Sequence, residues 1–208
     1  VFFVVGYLTV GGCGVLNCYF DRDMDGLMGR TSRRAIPSGK VAPIEALLYG
    51  LTMMLTGLAA TYIVFGIVTA VLVSFGIGFY ILVYTLLLKS RTHLNVVIGA
   101  IAGPFAALSG WTATGNALSL IPVLIGVLDF LWTPSHLWSL AIRMVKEYKS
   151  ASIPMLPVIS GLKRASELVF IFNVATFGFS FLFPVLGITG VVYLIIATAA
   201  GVRLTFES

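Results

Sequence analysis

Apolar residues run along this chain in long blocks, near residues 1–20, 44–65, 67–88, 93–112, 118–142, 167–186 and 188–206, parted by polar breaks. Each block is roughly 18 to 25 residues long, the length that carries an α-helix through bilayer hydrocarbon. The pattern predicts an all-α, polytopic transmembrane helix bundle of about seven spans. Most connections are short, but residues 21–43 and 143–166 form two long polar loops that hold most of the chain's polar chemistry. No linker or low-complexity stretch divides the sequence, so residues 1–208 read as a single domain.

Composition agrees with the pattern: 59% of the 208 residues are hydrophobic and 10% charged, with a mean hydropathy of +1.04. Charge then orients the bundle. If the first span ends inward, all 13 Lys and Arg residues fall on one side, from Arg22 to Lys40, at Lys89 and Arg91, from Arg143 to Arg164, and at Arg203. The opposite turns, around Gly66, Thr112 to Ala117 and Gly187 to Gly190, carry none. The positive-inside rule makes the basic loops cytoplasmic. The net charge of +5 is therefore a topology signal that requires no nucleic-acid partner. Cys13 and Cys18 lie within the first apolar block and read as packing residues.

The segment Asn17 to Thr31 sits at the inner end of the first predicted helix. At about 100° per residue, Asn17, Asp21 and Asp25 share one helix face while Asp23 points away. Two carboxylates at i and i+4 repel, and a bound cation removes that cost. Oxygen ligands of this kind suit Mg²⁺, which is typically held by one or two carboxylates together with substrate phosphates. Arg30, Arg33, Arg34 and Lys40 follow directly and are suited to clamping a diphosphate. The plainer alternative is a solvated, charge-mixed loop capping a helix. An EF-hand reading of Asp21-x-Asp23-x-Asp25-Gly26 fails at its twelfth position, where Ser32 replaces the required Glu.

A second constellation comprises Asp129, Trp132, His136, Arg143 and Glu147, which a continuous helix would place within about 60° of one another. An ionised side chain at the bilayer centre costs about 2.5 to 3.5 kcal/mol even on a lenient scale, so this stripe is expected to face the bundle interior or a water-filled cavity. A hydrogen-bonded packing role for His136 remains the plainer alternative. His93, at a helix end, reads as interfacial.

The string Asn17-x3-Asp21-x3-Asp25-x2-Met28-x-Arg30-Thr31-x2-Arg34, followed by Ile36-Pro37-x-Gly39, resembles the first aspartate-rich motif of the UbiA superfamily of intramembrane prenyltransferases. Its Met-x-Arg-Thr is most similar to the protoheme IX farnesyltransferase branch. Further resemblances follow in order: Tyr84-Thr85-x3-Lys89-x-Arg91-Thr92-x2-Asn95-x2-Ile98-Gly99, Leu108-x-Gly110-Trp111-x-Ala113, Leu131-Trp132-x-Pro134-x-His136-x-Trp138-x-Leu140-Ala141 and Pro154-Met155-Leu156-Pro157. Departures are Ala35, Ser135, Leu137, Glu147 and Ser152. Glu147 keeps the carboxylate of the Asp usual there.

This resemblance implies farnesyl transfer from farnesyl diphosphate to a vinyl group of heme b, with water adding to give heme O. It implies Mg²⁺ held by Asp21 and Asp25 with Asn17 beside them, and Glu147 helping to hold a second metal. Arg30, Arg34, Lys89 and Arg91 would bind the diphosphate, Tyr84, Asn95 and Trp132 would join the substrate-binding set, and His136 would contact the porphyrin through its iron or a propionate. Asp129 matches none of the motifs. The resemblance further implies a nine-helix parent whose first and last helices lie outside this sequence, a lipid bilayer setting, and partner enzymes of heme A synthesis or cytochrome oxidase assembly. The expected location is a prokaryotic plasma membrane, with the mitochondrial inner membrane as the alternative. Competing readings are a UbiA-type enzyme acting on a quinone precursor, a chlorophyllide-like acceptor or glycerol phosphate, a proton or cation channel through Asp129 and His136, and a heme-binding protein without catalysis.

Overall fold

The computed structural model describes residues 1–206, which are helical without strands. The first helix, α1 (Phe2–Leu27), buries Val5, Thr9, Gly12, Cys13 and Leu16. Their three- and four-residue steps draw one stripe along the helix. It stops at Met28, whose backbone is extended at φ −105° and ψ 124°. The next helix, α2 (Pro43–Ile77), opens on a proline that lacks an N–H at a position where none is needed. The Glu45 carboxylate there accepts the Ala42 N–H at 3.0 Å.

Helix α2 is two helices joined at Gly66, where φ is 84° and ψ 177°. That positive φ admits glycine readily and a larger residue only under strain. The first half runs antiparallel to α1, since Gly50 faces Leu16, Gly12 faces Met54, and Gly57 faces Thr9. Small residues at these crossings let the two backbones approach, as membrane helices require when lipid offers no hydrophobic driving force. The second half continues into a π-helical segment, Gly78–Leu88, and runs parallel to α1. Ile81 packs there with Cys13 and Leu16, and Asn17 Nδ2 donates to Thr85 Oγ1 at 3.2 Å. The predicted turn at Gly66 is therefore present.

Short α3 (Asn95–Gly99) leads to α4 (Ala102–Thr112), then α5 (Leu120–Arg143). Thr69 of α2 donates to Thr112 of α4 at 2.9 Å, and Phe75 stacks on Phe105 with ring centres 5.7 Å apart. Gly126 of α5 lies against Pro104. The chain continues through α6 (Val145–Ser150), α7 (Leu156–Ser180), α8 (Leu182–Val185) and α9 (Val191–Phe206). Trp138 of α5 meets Phe172 of α7 edge to face at 5.5 Å. That contact belongs to a core of Met28, Val96, Trp138, Ile153, Met155 and Val169, which ties the two long inter-span segments to the helices.

Five helical runs among the described residues are long and apolar enough to cross a membrane: Phe2–Leu27, Pro43–Leu88, Asn95–Thr112, Leu120–Arg143 and Leu156–Val185. Because Pro43–Leu88 doubles back at Gly66, it supplies two of the expected spans. The shorter apolar run Val191–Thr205 supplies the last. Exposed Ile63, Val64, Ile67, Ile171 and Ile195 face outward, as side chains bathed in lipid do. The protein is an integral membrane protein.

Two expectations are corrected. The segment 143–166 is not an extended loop: it contains α6 and the start of α7, which breaks at Gly161 (φ 80°, ψ 164°). Nor does one continuous helix carry Asp129 through Glu147, because α5 ends at Met144 with φ −111° and ψ 22°. Glu147 consequently sits on α6, out of register with the α5 stripe.

Candidate active site

The last two turns of α1 bring Asn17, Asp21 and Asp25 to one face, as their spacing predicts. Asp21 is 1% exposed and Asp25 5%, while the Asp23 side chain stands 85% exposed on the opposite side. Two buried carboxylates so close in sequence require compensation. Arg34 Nη1 reaches Asp25 Oδ2 at 2.7 Å, and Lys89 Nζ, from the end of the π-helical segment, contacts Asp21 Oδ2. The remaining oxygen, Asp21 Oδ1, is buried without a hydrogen-bond partner among the described residues. A buried acceptor in this state calls for an explanation, and a bound water or cation is one.

The loop that delivers Arg34 is folded onto the end of α1. Thr31 Oγ1 donates to the Asp25 carbonyl at 3.0 Å, and the Arg34 N–H donates to the Thr31 carbonyl at 2.9 Å. Lys89 is fixed from two sides. Its N–H donates to the Tyr84 carbonyl at 2.9 Å, in the five-residue step of a π-helix. Its own carbonyl accepts Asn95 Nδ2 at 3.0 Å. Asn95 is fully buried and also directs Nδ2 toward the Met155 sulfur at 3.8 Å. The structure thus has it bracing Lys89 from outside the cavity wall.

These groups enclose a polar cavity of about 90 Å³, lined also by Arg30, Tyr84 and Tyr148. Tyr148 escaped the sequence reading, which stopped at its neighbour Glu147. Burial raises the Tyr148 phenol above its usual pKa, aided by the Glu147 charge and opposed by Arg30 and Arg34. It is therefore a neutral hydrogen-bond donor throughout the physiological range. Burial acts to lower the Arg34 pKa, but its hydrogen bond to Asp25 and the Asp25 charge carry it above the ordinary value. Its positive charge is permanent.

A second, larger cavity of about 550 Å³ is almost wholly apolar. Cys13 and Tyr80 line it, each one helical turn from Asn17 and Tyr84 of the polar cavity. Phe2 and Phe65 lie at its far end, meeting edge to face at 5.7 Å. A charged cavity beside an apolar one suits an amphiphile with an anionic head.

Not every predicted residue joins this site. Glu147 instead accepts the Arg30 main-chain N–H at 3.4 Å, apart from the aspartate pair. Arg91 is exposed and lines neither cavity. Of the Asp129, Trp132 and His136 stripe, the last two are not buried among the helices. Trp132 is 39% exposed, His136 is exposed as well, and their rings stack with centres 4.5 Å apart. Asp129 lies against Gly103 of α4, where a Cβ would collide with its carboxylate. No three His, Cys, Asp or Glu side chains come together as a metal cage among the described residues. Two carboxylates with an orphaned oxygen do match the sparse protein ligation that Mg²⁺ accepts when phosphates complete its shell.

The sequence profile of the UbiA prenyltransferase family matches residues 1–208. Among curated relatives, protoheme IX farnesyltransferase 1 of Cenarchaeum symbiosum is 41% identical over 196 residues, covering 94% of this chain and 66% of that protein. Protoheme IX farnesyltransferase of Neorickettsia sennetsu is 39% identical, over 92% of this chain and 63% of that one. The Caldivirga maquilingensis enzyme of the same name is 36% identical, over 99% and 74%. The chain thus spans about two thirds of the length of these relatives. Its fold is similar to that of a UbiA homolog from Archaeoglobus fulgidus bound to GPP and Mg²⁺, with a TM-score of 0.77 at 18% identity over 99% of this chain and 73% of that one.

Proposed function

Because the chain belongs to the UbiA prenyltransferase family, we propose that it transfers a farnesyl group from farnesyl diphosphate to a vinyl group of heme b, giving heme O. The observation that carries this reading is the proximity of two cavities: paired carboxylates and cations line the polar one at the ends of α1 and the π-helical segment, and the apolar one begins one helical turn away along both. That chamber falls within the roughly 300–1,000 Å³ of typical ligand pockets. It would house the isoprenoid tail, entering laterally from lipid.

The chemistry begins when the bond between the farnesyl C1 and its diphosphate oxygen breaks, the electron pair leaving with the diphosphate. Mg²⁺, held by Asp21 and Asp25 with Asn17 beside them, would supply charge neutralisation for that departure. Lys89, Arg34 and Arg30 add fixed positive charge where negative charge develops, and the neutral Tyr148 phenol adds a hydrogen bond. Tyr84 and Tyr80, stacked with ring centres 6.2 Å apart, border the position of the allylic cation and keep water from it. The vinyl π electrons of heme b form the new carbon–carbon bond to C1. Water adds to the resulting cation and loses a proton, completing the hydroxyethylfarnesyl group.

We assign the porphyrin to the stacked Trp132 and His136 pair on α5, with His136 meeting a propionate or the iron. Glu147, beside Arg30, is assigned to a second metal at the rim. The basic loops lie on the cytoplasmic side, supported by the charge asymmetry, in a prokaryotic plasma membrane. The protein in membranes, given heme b, farnesyl diphosphate and Mg²⁺, is expected to yield a porphyrin heavier by one farnesyl group and one hydroxyl group by mass spectrometry. Unchanged heme, with prenylation of a quinone precursor or glycerol phosphate instead, would keep the diphosphate site and reassign the acceptor.

A further inference from the structure

The two carboxylates are already neutralised by cations of the protein itself. Lys89 lies on Asp21 and Arg34 on Asp25, so the cluster of four carries no net charge. A divalent cation entering alone would compete with Lys89 for a carboxylate that is nearly inaccessible to water, and would meet two positive charges at close range. A diphosphate entering alone would meet two negative ones. Entering together they relieve both problems, because the metal takes the carboxylates and the diphosphate takes the cations. Resting on the prenyl-transfer reading above, we infer that Lys89 and Arg34 are resident counter-ions, exchanged from carboxylate to diphosphate as metal and diphosphate bind, so that each ligand binds tightly only with the other.

The backbone is built for such an exchange. Tyr84 and Asn95 hold the main chain of Lys89 through its N–H and its carbonyl, so no helix needs to move. Only the flexible four-carbon stem swings, carrying a compact ammonium. Asp21 Oδ1, buried and unpartnered, is the acceptor an arriving cation finds before Lys89 has left. The arrangement also keeps the aspartates from holding a metal idly before the substrate arrives. Coupling of this kind is reciprocal: whatever factor the diphosphate adds to metal affinity, the metal adds to diphosphate affinity.

The test uses Mn²⁺ as the probe ion, with protein-bound Mn²⁺ followed by electron paramagnetic resonance against protein-free Mn²⁺ references, with and without inorganic pyrophosphate. In the unmodified protein, Mn²⁺ alone is expected to bind weakly, and pyrophosphate to tighten it by about tenfold or more. Lys89→Met removes the internal competitor. Mn²⁺ alone should then bind about tenfold tighter than to the unmodified protein, and the pyrophosphate enhancement should shrink by a similar factor. Lys89→Arg, which keeps the charge, should retain weak metal-only binding. Should Lys89→Met be unstable because Asp21 is left uncompensated, Mn²⁺ should raise its melting temperature more than that of the unmodified protein. A Lys89→Met protein that Mn²⁺ neither binds more tightly nor stabilises more overturns the exchange. An unmodified protein with no Mn²⁺ site even in the presence of pyrophosphate overturns the prenyl-transfer reading beneath it.

Discussion

Asp21→Asn is expected to lower prenyl transfer by about a thousandfold, the upper end of the range for loss of one preorganised electrostatic partner. The amide preserves the shape of the carboxylate but removes the charge that attracts a metal. It also strands Lys89, whose partner on α1 is lost. Removing one member of a buried ion pair typically costs about 3 to 5 kcal/mol, so melting temperature should fall as well. Turnover must therefore be measured per folded molecule. Pyrophosphate release from farnesyl diphosphate, read at saturating Mg²⁺, separates the chemistry from acceptor binding. Asp23→Asn is the control: its side chain is exposed on the far face of α1 and should leave release unchanged. Equal losses at Asp21 and Asp23 would indicate general damage to the end of α1.

Gly57→Leu should produce the largest structural effect. A Cβ at Gly57 would lie 2.6 Å from the Thr9 backbone nitrogen and 3.0 Å from its Cα, neither of which can yield like the tip of a flexible side chain. Overpacking typically costs about 1 to 3 kcal/mol, and a backbone collision belongs at the top of that range. For a protein of this size about 3 kcal/mol lowers the melting temperature by roughly 6 to 12 °C. Activity should fall with it, because moving α1 away from α2 shifts Asn17 and Asp21 relative to Thr85 and Lys89. Gly14→Leu is the matched control, since nothing lies within 4 Å of its Cβ position. A Gly57→Leu protein melting with the Gly14→Leu control would contradict the close α1–α2 crossing.

Much of this was legible in the sequence for identifiable reasons. Continuous apolar blocks give membrane helices directly, and glycine at position 66 sits where the chain must reverse with positive φ. The four-residue spacing of Asn17, Asp21 and Asp25 survives because α1 stays regular to Leu27. Pairings across long sequence separations are different. Asn17 with Thr85 and Asp21 with Lys89 are each 68 residues apart, and nothing local in either segment announces the partner. Lys89 entered the candidate list through the family resemblance, and its role as a counter-ion emerged only from the packing of the π-helical segment on α1. Helix α6 was hidden because its six residues, Val145 to Ser150, mix charge and polarity without a readable apolar period. In the α5 stripe, Asp129 packs against Gly103 while Trp132 and His136 stay exposed: helical spacing fixes which residues share a face, whereas packing of the other helices decides how much of that face is buried.

In the proposed reaction the aspartate pair of α1 holds a metal and diphosphate above an apolar tail chamber. The most direct test of that placement is the anomalous scattering of Mn²⁺ in crystals grown with a non-hydrolysable farnesyl thiodiphosphate. One principal peak is expected against Asp21 and Asp25, with the tail running between α1 and α2 toward Phe65. A principal peak away from both aspartates, or a tail lying outside the chamber lined by Cys13 and Tyr80, would contradict it.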